Sequence, residues 1–160
     1  MTATLRPARP DDVPVIVDLI RGLARYEKLE DNVAATEDGI RSALFGPSPR
    51  VFCDLAEADG QVAGFALWFY TFSTFVGRHG IYLEDLFVRA EFRGQGIGKA
   101  LIRNLARRCA VENLGRFEWS VLDWNQPAIQ FYRSQGARLL DDWIICRVEG
   151  EALQALGGAA

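Results

Sequence analysis

A strand, a glycine-rich turn and a helix follow one another without a break between residues 80 and 101, and this stretch limits the folds open to the chain. The strand covers Ile81–Val88, where apolar and aromatic residues surround two acids. Three glycines within positions 94–98 then exclude regular structure. From Ile97 onward apolar residues recur every four positions, which predicts a helix that begins in a glycine turn.

Such a helix start is suited to binding an anion. The first backbone N–H groups have no partner within the helix, and the positive end of the helix dipole lies at the same place, so a phosphate is the expected ligand. The Walker A pattern does not fit, because Arg93 stands where its first glycine belongs and Ala100 where its Ser or Thr belongs. The spacing of the dinucleotide fingerprint also fails. The spacing that remains is Arg93-x-x-Gly96-x-Gly98.

Composition narrows the class of protein. The chain has 160 residues, a net charge of −3 and 24% charged residues, which favours one globular domain over 1–160 with a core at about 4–150. A mildly acidic chain gives no support for a nucleic-acid or membrane partner. The N-terminus lacks the apolar core of a signal peptide, so a cytoplasmic location is expected. One histidine and three scattered cysteines predict no metal site and three reduced core thiols.

The order of predicted elements is typical of a mixed α/β sheet in one layered domain. We expect a strand, two helices, three strands, a helix, a strand, a helix and two final strands. The third strand, Val62 to Phe72, is aromatic on both faces and should be central in the sheet. Thr36 and Asn125 are predicted helix caps. The less regular regions are predicted as a loop at 73–80, a strand at 117–122 and final strands at 137–140 and 143–148.

The phosphate-loop spacing resembles the acyl-CoA loop of the GNAT superfamily of N-acetyltransferases, and the element order matches that superfamily. Its fold is a mixed, largely antiparallel central sheet flanked by helices. Within it the chain resembles the diamine (spermidine/spermine) acetyltransferases, and most closely their thialysine N-ε-acetyltransferase branch. The motifs that carry this resemblance are Tyr26-Glu27, Tyr82 to Asp85, Val121 to Gln126 and Phe131-Tyr132.

The resemblance implies acetyl-CoA as co-substrate, held in three places. The backbone of the strand at Ile81–Val88 would pair with the pantetheine arm, and the glycine turn would hold the pyrophosphate. The start of the helix capped by Asn125 would complete the site. The residues so implied are Leu86, Phe87, Val88, Arg93, Gly94, Gln95, Gly96, Ile97, Gly98, Lys99, Asn125, Gln126, Pro127, Ala128 and Arg133.

Acetylation of an amine requires a base that removes a proton from the ammonium and an acid that donates one to the departing thiolate. An alkylammonium has a pKa of about 10.4, so freeing the amine at neutral pH costs roughly 4–5 kcal/mol and favours a nearby carboxylate. The family pattern nominates Glu84 as the base, Asp85 as a substrate-facing anion and Tyr132 as the donor to the departing thiolate. Because side chains alternate along a strand, only one of the two acids should face the cofactor side. Attack would be direct, in a ternary complex.

The resemblance also bears on the substrate and the assembly. Ser73 replaces an acid of the polyamine-acetylating branch, which favours a short lysine-like amine or small diamine over a long polyamine. The implied substrate residues are Tyr26, Glu27, Ser73, Glu84, Asp85 and Trp143, and the implied assembly is a homodimer. Two alternatives stay open: a regulatory module that binds acyl-CoA without turnover, and a protein or peptide N-acetyltransferase.

Overall fold

The computed structural model describes residues 3–158, which divide into two compact units with the boundary after Trp124. The first unit contains five strands and three helices. The second contains two helices. In chain order the elements are β1 (Thr4–Pro7), α1 (Val13–Tyr26), α2 (Glu37–Phe45), β2 (Phe52–Ala58), β3 (Gln61–Ser73), β4 (Arg78–Val88), α3 (Ile97–Val111), β5 (Phe117–Trp119), α4 (Gln126–Ser134) and α5 (Gly150–Leu156).

The five strands form one sheet in the order β1-β2-β3-β4-β5. The first four are joined as antiparallel neighbours, while β5 lies parallel to β4. The sheet is therefore mixed and largely antiparallel, as the resemblance implied. The expected central position of β3 is also confirmed. The turn between β2 and β3 has positive φ at Asp59 and Gly60 (52° and 74°), the conformation that suits a two-residue hairpin.

Helices α1 and α2 cover one face of the sheet. The core on this face is formed by Ile16 and Leu19 of α1, Leu55 of β2 and Phe65 of β3, each 1% exposed or less. Burying such side chains is the main favourable term in folding, about 1.5–3 kcal/mol for each. The predicted Thr36 cap of α2 is confirmed, because its hydroxyl accepts a hydrogen bond from Gly39 N at 3.1 Å.

Helix α3 packs on the sheet with the apolar stripe that its sequence predicts. Ile97, Leu101 and Leu105 are buried, and Cys109 at the end of the stripe is half-buried. The helix thus begins at the edge of the sheet where β4 ends and runs back across β4, β3 and β2. This packing fixes the position of the α3 N-terminus relative to the last residues of β4.

Several sequence predictions of strand boundaries are wrong. The strand predicted at 117–122 ends at Trp119, and the loop predicted at 73–80 is shorter because β4 already begins at Arg78. The two final strands predicted at 137–140 and 143–148 are absent, and no regular structure replaces them. Cys146 is exposed instead of lying in the core. An apolar run becomes a strand only where a neighbouring strand accepts its hydrogen bonds, which local sequence does not specify.

Candidate active site

The parallel strands β4 and β5 are paired only over three residues. Their ladder joins Ile81–Leu83 to Phe117–Trp119 and ends there. The rest of β4 continues to Val88 and remains paired with β3 on its other side. Among residues 3–158, this ladder thus leaves the second half of β4 with one edge unpaired by a strand. An unpaired edge offers backbone N–H and C=O groups to an extended ligand.

A glycine turn lies at the end of that open edge. Gly94 and Gly96 adopt φ values of +76° and +80°, a region that side chains disfavour, and α3 begins directly afterwards at Ile97. Gly96 is the N-cap, and no side chain caps the helix. A Cβ added at either glycine would have no atom within 4 Å, so the space beside the turn is open. The first amides of α3 are thus presented to an anion without obstruction.

The Arg93 side chain lies behind this turn. Its guanidinium lies 5.0 Å from the ring centroid of Tyr26 and 5.4 Å from that of Phe87. Its Nε donates a hydrogen bond to the Val88 carbonyl at 2.9 Å. These contacts tie the end of α1 to the end of β4. Arg93 therefore links these two elements beside the turn, and its contact with the cofactor stays a prediction.

Three carboxylates gather beside the open edge: Glu27 at the end of α1, and Glu84 and Asp85 in β4. Burial, and then the charges of Glu84 and Glu27, raise the pKa of Asp85 to about 7. Burial also raises the pKa of Glu27. Such a group changes its charge near neutral pH and suits a site that handles ammonium and amine forms of one ligand.

A β-bulge places two of these acids. Leu83 is opposite Trp68 and Asp85 is opposite Leu67, so Glu84 is an extra residue without a partner in β3. A bulge interrupts the alternation of side chains along a strand. The expectation that Glu84 and Asp85 must point to opposite faces therefore does not apply. Glu84 is exposed, whereas Asp85 is half-buried.

A contact between Lys28 and Trp124 lies beyond the end of α1, and no motif in the sequence indicates it. Lys28 follows Glu27 and has a φ of +61°, and its ammonium lies 5.0 Å from the ring centroid of Trp124. Trp124 is 46% exposed. The stretch containing Lys28 reads as a solvated helix end, and Trp124 reads only as part of a motif. Positive φ after a helix is usually predicted from glycine, so the sequence does not indicate it at Lys28.

The hairpin residue Ser73 lies elsewhere. It pairs with Arg78 at the start of β4, roughly 20 Å along the strand from Glu84 at about 3.3 Å per residue. Its hydroxyl accepts a hydrogen bond from Val76 N at 3.2 Å. One chain therefore does not bring Ser73 to the acids, and its role toward substrate stays a prediction.

The second unit carries the remaining predicted residues. Asn125 caps α4 as predicted, accepting a hydrogen bond from Ala128 N at 3.4 Å. Tyr132 is half-buried on α4, with its ring 5.4 Å from that of Phe131. Trp143 is 74% exposed. The exposed Arg133 follows Tyr132 near the end of α4.

An open strand edge is suited to an extended pantetheine arm, and the glycine turn and helix start that follow it are suited to a pyrophosphate. The model of the acetyltransferase (GNAT) family matches residues 16–137 of this chain. This protein belongs to the GNAT acetyltransferase family. A thialysine N-ε-acetyltransferase of Sus scrofa is 39% identical over 165 residues, which cover 96% of each chain. An L-ornithine N5-acetyltransferase of Arabidopsis thaliana is 33% identical, over 98% of this chain and 88% of its own.

Solved structures share this fold. An integron cassette protein from the mobile metagenome of V. cholerae matches 99% of both chains with a TM-score of 0.82 and 28% identity. An aminoglycoside acetyltransferase from an uncultured soil sample matches the fold with a TM-score of 0.76 and 16% identity, over 92% of this chain and 97% of its own. This GNAT protein is thus an acetyltransferase enzyme. Within residues 3–158, no helix is both long and apolar enough to span a bilayer.

Proposed function

We propose that this enzyme transfers the acetyl group of acetyl-CoA to a primary amine of a lysine-like amino acid or small diamine, by direct attack in a ternary complex. The observation that carries the proposal is the joint placement of the open β4 edge, the glycine turn and three carboxylates at one end of the sheet. The thialysine and ornithine acetyltransferase relatives support the substrate class. The family match at 16–137 crosses the unit boundary, which supports treating the chain as one functional domain.

Acetyl-CoA would supply an acetyl thioester, and the chain offers groups to hold it. Leu86, Phe87 and Val88 would meet the pantetheine with their backbone, and the turn from Gly94 to Lys99 would meet the pyrophosphate. The open space beside Gly94 and Gly96 fits that role. The start of α4, at Asn125 to Ala128, and Arg133 are proposed as further cofactor contacts.

We assign the attraction of the ammonium and the proton transfers to four side chains. The carboxylates of Glu27, Glu84 and Asp85 draw the substrate ammonium to the end of β4. Glu84 takes the proton from this ammonium, and Asp85 holds the positive charge while its own carboxyl is ionised. Tyr132 donates a proton to the departing thiolate. Tyr26 and Trp143 are proposed to contact the substrate.

The first test is CoA release from acetyl-CoA with thialysine, lysine, ornithine, putrescine, spermidine and a peptide amine, in wild type and Tyr132→Phe. We expect saturable turnover with the short amines and a fall in kcat of about 10²-fold in the variant, because phenylalanine keeps the ring but has no proton to donate. Preference for the peptide would favour a protein acetyltransferase. Acetyl-CoA binding without turnover of any amine would favour the regulatory module.

A homodimer is part of the proposal. Trp143, Ile144 and Ile145 are 74%, 88% and 75% exposed, an apolar run that a second copy would cover. Sedimentation of the purified chain should give a dimer, and Ile145→Asp should shift it toward the monomer by placing a charge in the interface. A monomeric wild type would contradict this part. The cytoplasmic location remains a prediction.

A further inference from the structure

We propose that the face of Trp124 binds the second positive charge of the amine substrate, and that Lys28 occupies this position until the substrate displaces it. The inference deepens the proposed function and rests on it, because it names a group that selects dicationic or lysine-like amines. A cation within about 6 Å of an aromatic ring centroid is attracted by the electrons of the ring. The Lys28 ammonium meets that condition at 5.0 Å.

Lys28 carries the same functional group as the proposed substrate. Its primary ammonium lies over the Trp124 ring, so this position has room for a group of that size and charge. The ring is 46% exposed, so a ligand can reach it from solvent. The site is chemically suited to an organic ammonium because an aromatic face attracts a cation while demanding few fixed hydrogen bonds.

The ending of α1 fixes the backbone at Lys28. Leu29 N donates to Ala24 O at 2.8 Å and Lys28 N donates to Arg25 O at 3.1 Å, the two bonds of a Schellman ending of α1. That ending usually has glycine at the position of positive φ, whereas here it has lysine at +61°. The helix therefore ends with a lysine side chain at a position where glycine, the usual residue, has no side chain.

The Trp124 ring is linked to the carboxylates of β4 through Lys28 and Glu27, which are adjacent in the chain. Glu27 precedes Lys28 and interacts electrostatically with Asp85. The carboxylates would attract both ammonium groups of a diamine. One ammonium would remain near Glu84 and Asp85 for deprotonation, and the other would replace Lys28 on Trp124.

The test compares putrescine with butylamine, which has the same carbon chain but only one ammonium. Trp124→Leu should raise KM for putrescine by about 2- to 30-fold, the range for one cation–ring contact, while KM for butylamine and acetyl-CoA stays unchanged. Trp124→Phe keeps a ring and should lose less. Lys28→Gln removes the competing charge and should lower KM for putrescine, whereas Lys28→Arg keeps the charge and should behave as wild type.

A second measurement separates this inference from the proposed function. Putrescine binding is followed by calorimetric titration in wild type, Trp124→Leu and Trp124→Phe, because this readout does not need the ring that is removed. Turnover with unchanged KM values in the Trp124 and Lys28 variants would overturn the inference and leave the function intact. Binding that depends on Trp124 without turnover would support the inference and overturn the function. Loss of putrescine and butylamine affinity alike in Trp124→Leu would overturn the inference, because the ring would then only support the fold.

Discussion

Replacing Glu84 with glutamine should lower kcat for a short amine by a factor of about 10² or more, the usual contribution of a general base. The substitution keeps the shape of the side chain at the bulge and removes its capacity to take a proton. Because Glu84 is exposed and has no partner residue in β3, the fold should not suffer. Steady-state kinetics at several pH values, with a thermal melt of each protein, make the measurement.

The matched control is Asp85→Asn, one residue along the same bulge. In wild type, kcat/KM should fall as pH drops through about 7, because Asp85 then becomes protonated and no longer attracts the ammonium. Asp85→Asn should have a lower kcat/KM above pH 7 and lack that acid limb, while Glu84→Gln should lose kcat at every pH. If Glu84→Gln keeps wild-type kcat while Asp85→Asn loses it, the base is Asp85 and our assignment is wrong.

Gly96→Ala should raise KM for acetyl-CoA by about 10-fold or more. The new Cβ favours negative φ, at a cost of roughly 1–2 kcal/mol where φ is +80°. If the turn relaxes, the first amides of α3 no longer converge on the pyrophosphate. If it does not relax, the methyl group occupies the open space where that group would lie. Calorimetric titration with CoA measures the loss directly.

Gly60→Ala supplies the same backbone strain away from the site. Gly60 has a φ of +74° in the β2–β3 turn, and a Cβ there would also have no atom within 4 Å. Both variants should lose a similar free energy of unfolding, and only Gly96→Ala should lose CoA affinity. Equal CoA affinities in the two variants would contradict the assignment of the turn as the pyrophosphate site.

Local sequence was sufficient wherever neighbours in the chain supply the interactions. The helix from Ile97, the Thr36 and Asn125 caps and the β2–β3 turn depend on hydrogen bonds and dihedral preferences within a few residues. The central place of β3 also followed, since two apolar faces need cover on both sides. For these elements pattern and structure agree.

Other features depend on distant neighbours. The prediction of two final strands was wrong because an apolar run at 143–148 does not indicate whether another strand lies beside it. The bulge at Glu84 arises from the register of β4 against β3, and a single strand carries no information on its register. Arg93 was expected at the cofactor, and the structure adds its contacts with two aromatic rings from separate elements, which its position beside the glycine turn did not indicate.

The sequence by itself determined the glycine turn before α3, the acids of β4 and the family, because each is a short pattern of neighbouring residues. Only the tertiary structure decided where β4 loses its β5 partner and how Lys28 reaches Trp124. It also decided the burial and the neighbouring charges of Glu84 and Glu27 that raise the pKa of Asp85 to about 7. The physical reason is that burial, charge proximity and strand register are set by residues tens of positions apart in the sequence. Such residues come close together in space only when the chain has folded.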